Sequence, residues 1–129
     1  IIDSQDYISL SDKNIVELVL PSGVKRVWCH NNQLKELILP SGVKYVHCYN
    51  NQIKELILPS GIITVICDNN QLKELILPSG VKDVYCENNN ITGLILPSGV
   101  KTVYCDDGAI KDPMIYKDWD TYIEIYFYK

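Results

Sequence analysis

The chain has 129 residues, of which 47% are apolar, and a formal net charge of −4. These values predict one domain with a single continuous core and exclude a disordered chain. The 12 Lys and Arg residues form no run, which argues against a nucleic-acid partner, because such proteins track phosphates with a basic stripe.

The N-terminal stretch IIDSQDYISL lacks the basic start of a signal peptide, and no apolar run approaches the ~20 residues of a membrane span. We therefore expect no membrane partner. Residues 1–23 are predicted to form an N-terminal cap and one degenerate repeat, with Ile8 and Leu10 in its first strand. Ile15, Leu18 and Leu20 follow at the spacing of the later copies.

Residues 24–112 are predicted to hold the regular repeats, which are 19 residues long. The clear copies follow the pattern V-x-x-V-x-C-x-x-N-x-L-x-x-L-x-L-P-S-G and start at Val24, Val43, Ile62, Val81 and Val100. Self-similarity at a fixed period predicts stacked units, each too small to bury its own apolar face. Equivalent residues of successive coils should therefore lie above one another.

The second half of each unit is too short for a helix before its Pro, and its L-x-L alternates as a strand does. Each coil is thus predicted to hold two short extended segments, stacked ~4.8 Å from the next coil. Leu-Pro-Ser-Gly is predicted to form a type I turn with Pro second and Gly fourth. The inward columns are expected to be Val27, Val46, Val65, Val84 and Val103; the five Cys; and Leu37, Leu56, Leu75 and Leu94.

The first part of the unit resembles the leucine-rich-repeat signature L-x-x-L-x-L-x-x-N-x-L, with Cys in the third apolar slot. The short unit is most similar to the repeats of bacterial effectors of the YopM and IpaH type, although L-x-L-P-S-G replaces their extended proline-rich turns. The resemblance implies a leucine-rich-repeat solenoid of right-handed, nearly all-β coils, with a concave sheet that binds proteins. It also implies that Asn32, Asn51, Asn70 and Asn89 turn inward and bond backbone amides.

The five cysteines, Cys29, Cys48, Cys67, Cys86 and Cys105, occupy one inward column. Zinc sites use close pairs such as C-x-x-C, which the chain lacks, and parallel in-register side chains fit disulfide geometry poorly. We interpret the thiols as core residues and expect no metal and no cofactor. An odd number of buried thiols predicts a reducing compartment, the cytoplasm or, for an effector, the host cytosol.

Residues 113–129 are predicted to form C-terminal capping strands, because a solenoid otherwise exposes its core at its ends. Asp107 and Gly108 break the Asn column where the repeats end. The segment from Tyr122 to Tyr128 is rich in β-forming residues and predicts one or two strands. Trp119 is expected to plug the last coil.

Function is expected at the positions that the repeat does not dictate. Three outward columns of the first strand vary between coils, and they contain Trp, Tyr and Arg, which most often anchor protein interfaces. The predicted partner-binding residues are Arg26, Trp28, His30, Tyr45, His47, Tyr49, Ile66, Asp68, Tyr85, Glu87, Tyr104 and Asp106. The competing interpretation is a solvated sheet face whose aromatic residues only satisfy β propensity.

Charge on this face is graded, with basic residues in the first coils and acidic ones in the last. The acidic residues are Asp68, Asp83, Glu87, Asp106 and Asp107. Stacked like charges destabilise, so this cluster suits a basic partner; a calcium ion and simple solubility are the alternatives.

The middle residues of the L-x-L segments form a second outward column, which consists of Val19, Ile38, Ile57, Ile76 and Ile95. Such an apolar column could mediate a weak homo-oligomer contact, or neighbouring Lys and Glu stems could cover it.

No nucleophile elbow, phosphate loop or catalytic carboxylate pair is recognisable. We therefore expect a non-catalytic protein-binding module rather than an enzyme. The alternatives are a structural, self-assembling repeat protein and the substrate-recognition part of a larger effector such as a ubiquitin ligase.

Overall fold

A computed structural model describes residues 6–110 and 123–128, and it shows a β-solenoid of stacked coils. Its strands are β1 (Tyr7–Ser9), β2 (Arg26–Trp28), β3 (Leu37–Ile38), β4 (Tyr45–His47), β5 (Leu56–Ile57), β6 (Thr64–Ile66), β7 (Asp83–Tyr85), β8 (Thr102–Asp106) and β9 (Glu124–Tyr128). The described residues contain no helix, as the repeat predicts. None of them therefore forms a helix that could span a membrane.

The larger sheet has seven strands in the order β1-β2-β4-β6-β7-β8-β9, all of them parallel. From β1 to β8 each strand pairs with the one 19 residues further on, so that Val27 lies beside Val46 and Val46 beside Val65. The middle residue of each of these three-residue strands is buried, whereas its two neighbours are not. This alternation confirms the predicted inward and outward positions.

The core is a set of apolar columns that run the length of the solenoid. The Val27, Cys29 and Leu37 columns are buried as predicted, and the first Val and the first Leu of each unit are buried with them. Full burial of such a side chain stabilises the fold by ~1.5–3 kcal/mol. All five cysteines are buried free thiols. Burial raises the pKa of the Cys29 thiol to about 12 and, with help from Asp106, that of Cys105 to about 11.

The turn at Pro-Ser-Gly lies one residue later than predicted. The N–H of Val43 donates to the carbonyl of Pro40 at 3.2 Å, so Pro occupies the first place and Gly the third, and this bond recurs in the other coils. A first-place Pro needs only its carbonyl oxygen, the one backbone hydrogen-bonding group that proline has. Gly42 does not have a positive φ and its Cβ position is unobstructed except for the Val24 carbonyl at 3.8 Å, so the turn does not require glycine.

The predicted inward Asn column is confirmed as a ladder of hydrogen bonds that joins the coils. The side-chain oxygen of Asn51 accepts from the N–H of Leu34 in the preceding coil at 2.9 Å. Its amide nitrogen donates to the carbonyl of Cys48 in its own coil and to that of Cys29 in the preceding one, both at 3.1 Å. Asn32, Asn70 and Asn89 repeat this pattern. Each Asn thereby satisfies backbone groups that the solenoid interior would otherwise leave unpaired.

The preceding residue of each coil forms a second Asn ladder, on the surface, which the sequence analysis did not predict. The side-chain nitrogen of Asn50 donates to Asn31 at 2.6 Å, and Asn69 and Asn88 continue the chain at 2.7 Å per step. All four residues have φ values between 54° and 58°. Asn tolerates this left-handed conformation better than other residues with a Cβ. The Asn-Asn pair therefore turns the chain and links the coils at the same place.

Among the described coils, the second extended segment forms a strand in two neighbouring coils, where β3 pairs with β5. Leu75 and Leu94 are buried at the equivalent positions of the next two coils, outside any strand. At the N-terminal end, β1 confirms the strand predicted around Ile8. At the C-terminal end, β9 confirms one of the one or two predicted strands. Trp119, the predicted plug, and residues 1–5 of the predicted cap lie outside the described residues.

Candidate partner-binding face

The outward side of the seven-stranded sheet, called here the open face, carries all twelve residues predicted to bind a partner. The central column contains Trp28, His47, Ile66, Tyr85 and Tyr104, one on each strand in direct register. Arg26 and Tyr45 belong to the column at the strand starts. His30, Tyr49, Asp68, Glu87 and Asp106 follow at the strand ends. Arg26 is exposed and the other eleven are half-buried, so the face is a surface and not a pocket.

The N-terminal half of the open face is a group of packed aromatic rings. Trp28 stacks on His47 with ring centroids 4.4 Å apart, and His30 stacks on Tyr49 at the same distance. The guanidinium of Arg26 lies 5.5 Å from the ring centre of Tyr45, within cation–π range. Burial, and then the charge of His30, lowers the pKa of His47, which disfavours the charged form of its imidazole.

The C-terminal half carries a second stack, the tyrosine ladder, formed by Tyr85, Tyr104 and Tyr126. Its ring centroids are 4.6 Å and 4.5 Å apart, with planes within 14° of parallel. These separations are close to the ~4.8 Å strand spacing, so the rings lie over one another along the stack and turn their edges outward. Ile66 occupies the same column between this ladder and the Trp28–His47 stack.

Acidic side chains lie on both sides of the tyrosine ladder. Asp83 and Glu124 flank it at the strand starts, and Asp68, Glu87 and Asp106 flank it at the strand ends. Burial is the main cause that raises the pKa of Asp68 to about 6. The hydrogen bond from the Glu87 N–H lowers this pKa, whereas repulsion from the carboxylates of Glu87 and Asp106 raises it. Burial and Asp106 also raise the pKa of Glu87. The charged forms of Asp68 and Glu87 are therefore costly to maintain.

Asp106 has a structural role that the sequence analysis did not foresee. Its carboxylate oxygens accept from the N–H groups of Asn88, at 2.7 Å, and Asn89, at 3.0 Å. In the inner coils the equivalent N–H of Asn69 donates to the backbone carbonyl of Glu87 in the following coil. The side chain of Asp106 thus closes the last regular coil, where Asp107 and Gly108 end the Asn column.

Among the side chains that the structure describes, two aromatic residues of the open face, Tyr7 and Tyr126, are missing from the predicted site. Tyr7 packs edge-on against Trp28 with centroids 4.9 Å apart, and its 19-residue offset from Arg26 could have revealed it. Tyr126 pairs with Tyr104 across an offset that breaks the period, so no periodic signal points to it.

The column predicted as a second outward surface is exposed, and we call it the isoleucine strip. It consists of Val19, Ile38, Ile57, Ile76 and Ile95, each 73% to 94% exposed. Lys and Glu stems therefore do not cover it. A shallow groove runs beside Ile38 and Ile57 and is also lined by Lys35, Glu36, Lys54 and Glu55.

Among the described residues, no group of three or more His, Cys, Asp or Glu side chains is arranged to hold a metal ion. No protein-family model matches the sequence, and no curated protein matches it either.

Proposed function

We propose that this chain is a non-catalytic protein-binding module of leucine-rich-repeat type, whose partner docks on the open face. The observation that supports this proposal is where the constant and the variable positions of the repeat lie in the fold. The apolar and Asn positions that barely change between repeats and point inward build the core and the Asn ladder, whereas most of the variable positions come together on one sheet face with aromatic rings at its centre. Aromatic residues surrounded by polar side chains are typical of interface anchors.

The open face is also well suited to binding with a small loss of conformational entropy. Its rings are stacked on their neighbours, and its strands are joined by the buried Asn ladder below them. Side chains that are already ordered lose little freedom when a partner docks, which favours affinity. The free thiols are consistent with the proposed reducing compartment, the cytoplasm or a host cytosol.

The proposal predicts that Trp28→Ala and Tyr85→Ala each weaken partner binding by about 2 kcal/mol or more, about thirtyfold in affinity. Each change also removes one side of a ring stack, which should cost about 0.5–1.5 kcal/mol of stability and leave the solenoid folded. The measurement is a pull-down from a lysate of the source cells with wild-type and variant baits, followed by titration of the captured protein.

The matched control is Lys54→Ala with Glu55→Ala, since both side chains are exposed on the opposite side of the coil. Normal binding by Trp28→Ala and Tyr85→Ala, with loss of binding by this control, would place the interface on the other side of the solenoid.

A second candidate function, self-assembly, is favoured by the exposure of the isoleucine strip. Replacing Ile38, Ile57 and Ile76 with Thr keeps β-branched residues in extended segments, so stability should change by no more than about 0.5 kcal/mol per site. If copies associate through the strip, the triple variant should shift the mass in sedimentation equilibrium toward the monomer. A wild-type chain that stays monomeric at high concentration would contradict self-assembly.

A further inference from the structure

We infer that the occupant of the C-terminal half of the open face is an extended, Arg- and Lys-rich segment of the partner protein, lying along the tyrosine ladder. This inference rests on the proposed function and names the chemistry of its partner. The tyrosine ladder offers an aromatic surface on three adjacent strands, in which Tyr85 and Tyr104 are half-buried and Tyr126 is exposed.

The arrangement of the rings determines what kind of contact the ladder can make. Because Tyr104 is stacked on both sides, its ring faces are covered, and the edge of its ring is the part left for contact with a partner. Ring edges pack against apolar groups, and phenolic oxygens accept hydrogen bonds. Arg and Lys side chains make both kinds of contact, since their methylene stems pack on apolar surface while their head groups donate to oxygen atoms.

The charges on either side of the ladder favour the same occupant. Asp83 and Glu124 on one side and Asp68 and Glu87 on the other lie within one or two strands of Tyr104. Among the described residues, the hydrogen-bond donors to these acids are neutral: Thr64 donates to Asp83, Tyr126 to Glu124, and the backbone N–H of Glu87 to Asp68. In the described part of the chain, the ion pair found within 4.0 Å joins Lys25 to Asp6, away from these acids. The repulsion between these neighbouring carboxylates is relieved when a cationic segment binds.

The two halves of the open face differ in whether a described cationic side chain lies over an aromatic ring. In the N-terminal half, the chain provides Arg26 over Tyr45. In the C-terminal half, no described residue places a cation over Tyr85 or Tyr104, and the ammonium of Lys82 lies 3.4 Å from the Gly99 carbonyl. A partner with basic residues at one end of its docking segment would therefore bind in one direction.

The ladder and Ile66 span three strand spacings, about 14 Å, which an extended segment of about four or five residues covers.

The test compares two variants that remove the same number of negative charges. The first carries Asp68→Asn, Asp83→Asn and Glu87→Gln on the open face; Asp106 is left intact because it closes the last coil. The second carries Glu36→Gln, Glu55→Gln and Glu74→Gln, three exposed acids near the isoleucine strip. The probes are a synthetic peptide of alternating Arg and Ser and its counterpart with Glu in place of Arg, titrated at physiological ionic strength.

We expect the Arg peptide, and not the Glu peptide, to bind the wild type. The open-face variant should bind it about tenfold more weakly or worse, since three ion pairs are lost, and with a smaller salt dependence. The Glu36/Glu55/Glu74 variant should lose no more than about threefold. Neutralising Asp68 and Glu87 relieves repulsion, so the open-face variant should unfold at the same temperature as the wild type or a higher one.

Equal losses by the two variants, or no binding of the Arg peptide by the wild type, would overturn the inference. If the Arg peptide gives either of these results while binding of a captured partner still requires Trp28, the proposed function stands and only the basic-segment inference is wrong. If Trp28→Ala and Tyr85→Ala also leave partner binding unchanged, the proposed function fails as well.

Discussion

Replacing Asn70 with Ala is expected to lower the free energy of unfolding by about 3 kcal/mol or more. The side-chain oxygen of Asn70 is the acceptor for the N–H of Ile53, at 2.9 Å in the buried interior, and Ala leaves that N–H unpaired. The carbonyls of Cys48 and Cys67 each lose one donor and keep another, from Asn51 and Asn89. One orphaned donor costs about 1–3 kcal/mol and each of the two lost bonds about 1 kcal/mol, so about 3 kcal/mol is the lower end of the expected loss.

Denaturant unfolding followed by circular dichroism measures this loss, and the neighbouring Gln71→Ala supplies the control. Gln71 is exposed, so its truncation should change stability by about 0.5 kcal/mol at most. A loss below about 1 kcal/mol for Asn70→Ala would mean that water replaces the amide within the coil.

All five thiols are expected to resist alkylation in the native protein and to react fully after denaturation. Cys48 and Cys67 lie in the middle of the stack, where burial first, and then neighbouring thiols and Asp68, raise their pKa values well above that of a free thiol. The thiolate is the reactive form, so both access and ionisation oppose the reaction. Reaction then requires the coils to open, which is easiest at the ends of a stacked repeat.

Mass spectrometry after timed alkylation at pH 8 distinguishes the five sites. Cys29 and Cys105, nearest the ends, should react before Cys48 and Cys67. Rapid labelling of Cys67 in the native state would contradict the buried column.

The amino-acid sequence by itself determined the stacking of the coils and the direction of most side chains. A period of 19 residues places identical residues on top of one another, and strand alternation then separates the buried Val27 column from the outward Trp28 column. The same reasoning correctly placed the buried thiols, the inward Asn column and the exposed isoleucine strip. These features recur from coil to coil and depend on local geometry, so they can be read directly from the period of the sequence.

Only the tertiary structure decided the features that depend on contacts between coils or on the ends of the repeat. The turn position depends on which carbonyl the Val43 N–H meets, and the surface Asn ladder depends on a positive φ that brings Asn50 within reach of Asn31. At the C-terminal end the period breaks, so the pairing of Tyr126 with Tyr104 and the closing bonds of Asp106 cannot be read from the repeat. The tyrosine ladder is only partly of this kind: the period places Tyr85 beside Tyr104, whereas the third ring, Tyr126, comes from the strand that breaks the period.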